Sequence, residues 1–335
     1  MISGARAASS AQVPQASVPA TAAEIEPWVT PDQRKRASYA DDPYFWEGWA
    51  AFAAACGGQP RASALERLTF LMIKPEAIVG RRIEPVLDFL SSRGFLITGT
   101  WPVSMSRHVA RALWRYQINV VPVAHLRALE LGVTSGELFV VGLIHPGPME
   151  GAGSAAELLR WAKGSSSAPA GDSLRDVLHG HARMLSFVHA PDEPADVIRE
   201  LPILCEPGQL DQVMTRLVTA AAWPDARCEA EARAARLTMT ARYRQVPEHD
   251  LDTSATFRRM RGCLRGSGGL PEVARAAIET GRTTPEQALE VVAALEAATW
   301  LPLWDRIVTA AHLTDGLRNG RAMLLTPPPA AKAFR

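Results

Sequence analysis

From Leu68 onward, apolar runs alternate with amphipathic stretches. "LTFLMI", Leu68 to Ile73, is a continuous apolar run of strand length that stops at Lys74-Pro75, because proline disfavours continuing a ladder. Ile83, Val86, Leu87 and Leu90 follow at i, i+3, i+4 and i+7, one helical stripe ended by Gly94. "FLITGTWPVSM" reads as a strand, "SRHVARALWRY" as a helix, and "VAHLRALELG" as a helix closed by Gly132. "GELFVVGLIH" is a second apolar strand. A short helix runs from Ser154 to about Lys163, then a Ser- and Gly-rich loop, then a strand over "ARMLSFVH".

This order fits a four-stranded antiparallel sheet with helices packed on one face, the ferredoxin-like arrangement, in an α+β fold. Beyond Pro202 strand signals fade, and Ala, Arg, Leu and Glu dominate a separate C-terminal α-helical module. Its best-marked helix begins "TTPEQALEVV", with Thr284 as N-cap, Pro285 at N1 and Gln287 at N3 of a capping box. Ahead of the sheet, Tyr44, Phe45, Trp46, Trp49 and Phe52 crowd a docking helix. The division is a disordered tail over 1–30, a helical extension over 31–66, the mixed domain over 67–203 and the helical module over 204–335.

Composition narrows the function classes. Lys and Arg number 36 against 35 Asp and Glu, so whole-chain charge gives no attraction to nucleic acid or membrane. The N-terminus lacks the compact apolar core of a secretory signal, and no run reaches membrane-spanning length. Four dispersed cysteines form no C-x-x-C pair, which points to a reducing cytoplasm without zinc or disulfides. P-loop, G-x-S-x-G and H-E-x-x-H signatures are absent, and "GAGSAA" matches a dinucleotide fingerprint only loosely.

Two stretches carry candidate chemistry. "LMIKPEA" delivers Lys74 to the end of a buried strand, where an ammonium reaches a phosphate as a point charge, or else snorkels at the surface. "SFVHAPDEPADVIRELP" puts His189 at a strand end and Glu200 on the following helix. A nucleophilic histidine needs one ring nitrogen facing its donor and a partner on the other to fix the tautomer.

Together these stretches resemble the nucleoside diphosphate kinase family, over about Leu68 to Leu201. Lys74 matches the lysine of the family's K-P-D-A motif, with Glu76 in the aspartate position. His189 matches the phosphorylated histidine, with Asp192 at the acidic position of H-G-S-D, and Glu200 matches the glutamate that holds the ring. Arg160 and Arg175 resemble the phosphate-binding arginines, and Ser165 or Ser166 stands near the phosphate-binding threonine. Ser186 replaces an asparagine, Ala190 and Pro191 replace Gly and Ser, and the base-stacking phenylalanine is replaced near Val120 and Val121, leaving Trp114 or Tyr116 to stack.

The resemblance implies ping-pong phosphoryl transfer from a Mg2+-bound ATP or other nucleoside triphosphate, through phosphohistidine, to a nucleoside diphosphate or a small-metabolite acceptor. It implies nucleotide as partner, no protein metal ligands, and a homodimer. The other class of reading is a degenerate module that binds nucleotide or a protein without turnover.

Overall fold

The computed structural model describes residues 19, 21–147, 153–164, 172–178, 184–224, 227–265 and 269–326. Helices α1 (Gln33–Ala40), α2 (Pro43–Ala55) and α3 (Ala62–Leu65) lead into strand β1 (Leu68–Ile73). Then come α4 (Pro75–Val79), α5 (Ile83–Ser92), β2 (Leu96–Ser104), α6 (Arg107–Leu113), α7 (Val123–Val133) and β3 (Glu137–Ile144). Helices α8 (Ala155–Lys163) and α9 (Leu174–Val177) precede β4 (Val188–His189) and α10 (Pro194–Leu204). The chain ends with α11 (Pro207–Ala222), α12 (Arg227–Ala241), α13 (Thr253–Leu264), α14 (Glu272–Thr280), α15 (Ala288–Ala297) and α16 (Leu303–Thr314).

The sheet is antiparallel with strand order β2-β3-β1-β4, the ferredoxin-like order expected from the sequence. Helices cover both faces rather than one. Leu71 and Ile73 of β1 join a core with α4, α5 and helices of residues 253–314, while Leu68, Phe70 and Met72 join a core with α2, α10 and α11. β1 is apolar on both faces because both are buried, so its sequence does not alternate. The helices after Pro202 thus share their cores with the sheet.

Several expectations shift in detail. Ile25 and Val29 are buried in the second core, so packed chain reaches back into the stretch read as a tail. Gly132 lies inside α7, which continues to Val133. Thr284 accepts from the Gln287 amide at 3.3 Å, yet Pro285 to Gln287 form a turn and α15 begins at Ala288. Of the strand read over "ARMLSFVH", Met184 to Phe187 are not strand, and only Val188–His189 pair with the sheet. Phe187 is left-handed at φ 63°, and the Val188 amide donates to the Ser186 carbonyl at 2.7 Å. That tight three-residue turn breaks the ladder.

The aromatic helix α2 buries Phe45, Trp49 and Phe52 while Tyr44 and Trp46 stay partly exposed. It crosses α10 closely at Gly48, where a Cβ would lie 1.8 Å from the Ile198 carbonyl oxygen. No described helix is long and apolar enough to cross a membrane.

Candidate active site

Two side chains near the end of β1 fix the approach to His189. Glu76 Oε1 lies 2.6 Å from Lys74 Nζ and accepts from the Phe187 amide at 3.2 Å. Lys74 Nζ also donates to the Met184 carbonyl at 3.0 Å, and the Lys74 amide donates to the Phe187 carbonyl at 2.9 Å. Lys74 is buried, so the snorkelling alternative fails. Its ammonium is spent on ordering the strained turn instead of standing open to a phosphate.

That turn sets His189 opposite Met72, on the face covered by α2 and α10. Pro194 starts α10, which returns along this face and brings Glu200 Oε2 to 2.8 Å from His189 Nε2. On the other side of the ring, the Trp114 indole Nε1 donates to Nδ1 at 3.3 Å, with the two rings edge-to-face at 86°. Since Nδ1 accepts, the donors assign the ring proton to Nε2, where Glu200 receives it. The imidazole is partly exposed, its side chain 15% accessible.

One helix aligns both partners of the ring. Arg199, next to Glu200, is buried and donates through Nε to Asp42 at 2.7 Å. Its Nη1 and Nη2 reach the carbonyls of Leu113 and Ala112 at 3.1 and 2.6 Å. A cation at the last carbonyls of α6 complements the helix dipole and fixes the residue that follows, Trp114. Further along α10, Asp196 takes Lys35 at 3.0 Å and the Tyr39 hydroxyl at 2.5 Å, which ties α1 to the same helix. The Lys35 pair holds the Asp196 carboxyl below its usual range against the cost of burial.

Cations gather beyond the ring. Lys163, unmarked in the sequence reading, is buried with Nζ donating at 3.1 Å to the carbonyl of Ala190, the residue after His189. Burial pushes its ammonium down to about 8; Arg175 and Arg160 act in the same direction, while Asp192 and Glu200 oppose. Those four groups therefore surround one ammonium. Arg160 Nε stands 3.6 Å from Asp192 Oδ1. Arg175 Nη1 donates to the Gly164 carbonyl at 2.9 Å, and its buried Nε has no hydrogen-bond partner among the described residues. Burial also holds Arg175 below the usual guanidinium range.

The structure thus brings His189, Glu200, Asp192, Arg160 and Arg175 together and adds Lys163 and Trp114. Lys163 follows Arg160 by three positions on α8, hence on the same face, a spacing that was available in the sequence. Ser186 turns its hydroxyl toward the Val188 carbonyl at 3.5 Å. Ser165 and Ser166 lie outside the described residues. Trp114 meets the histidine edge-on, and Tyr116 is buried between Ser38 and Asp42, so it cannot stack on a base.

No protein-family model matches this chain, and no curated protein matches it. Among solved structures it is similar to the apo nucleoside diphosphate kinase of Encephalitozoon cuniculi, at 17% identity over 41% of this chain and 87% of that one, with a TM-score of 0.34. It is also similar to the nucleoside diphosphate kinase of Aquifex aeolicus, at 18% identity over 43% and 97%, TM-score 0.36. An NDP kinase from Pyrobaculum aerophilum shows 15% identity over 43% and 98%, TM-score 0.33.

Proposed function

We propose that this protein transfers the terminal phosphoryl group of a nucleoside triphosphate through His189 to a second acceptor, a nucleoside diphosphate or a small hydroxylated metabolite. The observation that carries this reading is the oriented imidazole: Glu200 holds the proton on Nε2, which leaves the Nδ1 lone pair as the nucleophile. In the first half-reaction Nδ1 bonds to the terminal phosphorus as the bond to the bridging oxygen breaks, and the nucleoside diphosphate leaves with that electron pair. Glu200 stabilises the cationic phosphorylated ring, and the acceptor oxygen reverses the step. Arg160, Arg175 and Lys163 supply positive charge for the transferring oxygens, the dominant need of phosphoryl transfer. Lys74 acts indirectly, by holding the turn before His189. Mg2+ enters on the triphosphate itself.

One observation favours a second reading, a module that binds nucleotide without turnover: the Trp114 N–H already occupies Nδ1. Incubation with Mg2+ and terminally labelled ATP separates the two. Transfer gives acid-labile, alkali-stable label on the wild type and none on His189→Ala. A wild type that binds ATP but takes up no label leaves the binding module.

A further inference from the structure

A cavity of about 740 Å3 opens on the sheet face away from His189, between α4 and the C-terminal helices. Pro75, Ile78 and Val79 of α4 form one wall, and Leu303 and Trp304 at the start of α16 form another. The volume lies within the ordinary range of small-molecule sites. Four carboxylates, on Glu137, Glu248, Asp250 and Asp305, share the lining with two guanidiniums, on Arg242 and Arg259.

Both guanidiniums are engaged within this set. Arg259 Nε donates to Asp305 at 2.8 Å, and its Nη1 and Nη2 donate to Asp250 at 2.7 and 3.0 Å. Arg242 Nη2 lies 2.7 Å from Glu137. His249 is occupied as well, for Nδ1 accepts from the Leu251 amide at 3.0 Å and Nε2 lies 3.0 Å from Asp305. Glu248 is mostly exposed at the rim, with Arg81 Nε 3.7 Å away outside the lining. Counting Arg81 beside Glu248, four carboxylates against three guanidiniums leave the site with an excess of one negative charge.

We propose that this cavity binds an uncharged or cationic molecule with an apolar, ring-containing body, and rejects phosphates and other anions. The apolar walls take the body, the indole of Trp304 and the rim carboxylate of Glu248 favour an ammonium, and an anion meets excess negative charge with the arginines already bound. The site is separate from the His189 cluster, so its test is independent of the phosphotransferase reading.

Two fluorescent naphthalenes that differ by one sulfonate make the test: neutral N-phenyl-1-naphthylamine and anionic 1-anilinonaphthalene-8-sulfonate. The full chain binds the neutral compound saturably, one per chain, about tenfold or more tighter than the sulfonate. Val79→Trp fills the cavity and weakens the neutral compound by about tenfold or more. Glu248→Lys, at an exposed position that leaves folding intact, tightens the sulfonate several-fold and leaves the neutral compound unchanged. Absent saturable binding of the neutral compound, equal affinity for both compounds, or an unchanged ratio in Glu248→Lys each overturns the proposal. So does unaltered binding in a folded Val79→Trp.

Discussion

His189 and His249 share two kinds of partner, but Arg259 Nη2 also stands 2.9 Å from His249 Nε2, a contact with no counterpart at His189 among the described residues. Each has a carboxylate at Nε2, Glu200 at 2.8 Å and Asp305 at 3.0 Å, and each accepts an N–H at Nδ1. For His249 that N–H is the backbone amide of Leu251, whose left-handed φ of 57° closes the loop on the ring. Arg259 doubles the restraint by reaching Asp305, Asp250 and Thr256. For His189 the N–H sits on an indole that a side-chain rotation removes. A histidine whose every partner is backbone or ion-paired is a clasp; one masked by a single rotatable donor has a ring nitrogen that a rotation uncovers.

The largest effect that tests this contrast is on chemistry. Glu200→Ala lowers the rate of His189 labelling about a hundredfold to ten-thousandfold by releasing the tautomer, measured by quenched-flow uptake of labelled phosphate. Asp305→Ala leaves that rate per folded molecule unchanged. A matching loss in both variants would erase the distinction. Next in size, Asp305→Ala lowers stability by about 2 to 4 kcal/mol in urea denaturation, because His249 and Arg259 lose a buried common partner.

Trp114→Phe sharpens the comparison from the other side. Removing one hydrogen bond from Nδ1 raises the labelling rate about two- to tenfold, the worth of about 0.5 to 1.5 kcal/mol. An unchanged rate would make His189 as closed as His249. The smallest effect is in pH. The folded-state pKa of Lys163 is depressed from the ordinary 10.5 to about 8, so the cost of burying its charge is fully present below about 8. The unfolded chain then binds more protons between about 8 and 10.5, and stability rises with pH across that window. Donor binding weakens as pH rises through about 8, where the folded cluster loses an ammonium. Lys163→Met flattens both trends, read from urea melts and from KM for the triphosphate.

How much of this the sequence discloses follows from which interactions are local. β1 and β3 stand out because burial on both faces leaves uninterrupted apolar runs. The His189–Glu200 pair is legible because eleven positions and a proline-started helix constrain where the carboxylate returns. Phe187 gave no such sign, since a left-handed residue is usually marked by glycine and here the bonds from Lys74 and Glu76 impose it. Trp114 and Arg199 meet only through tertiary packing of α6 on α10. Covering both faces depends on helices distant in sequence, so a local reading stops at one.

Arg199 and Glu200 are neighbours on one buried helix, yet they govern opposite edges of the same imidazole. α10 therefore works as a shared axle: a turn of its backbone loosens the glutamate and the indole together. Because Gly48 seats α2 against that axle and Lys35 pins α1 to it, trimming the chain ahead of the sheet would reach the ring without removing any residue that touches it.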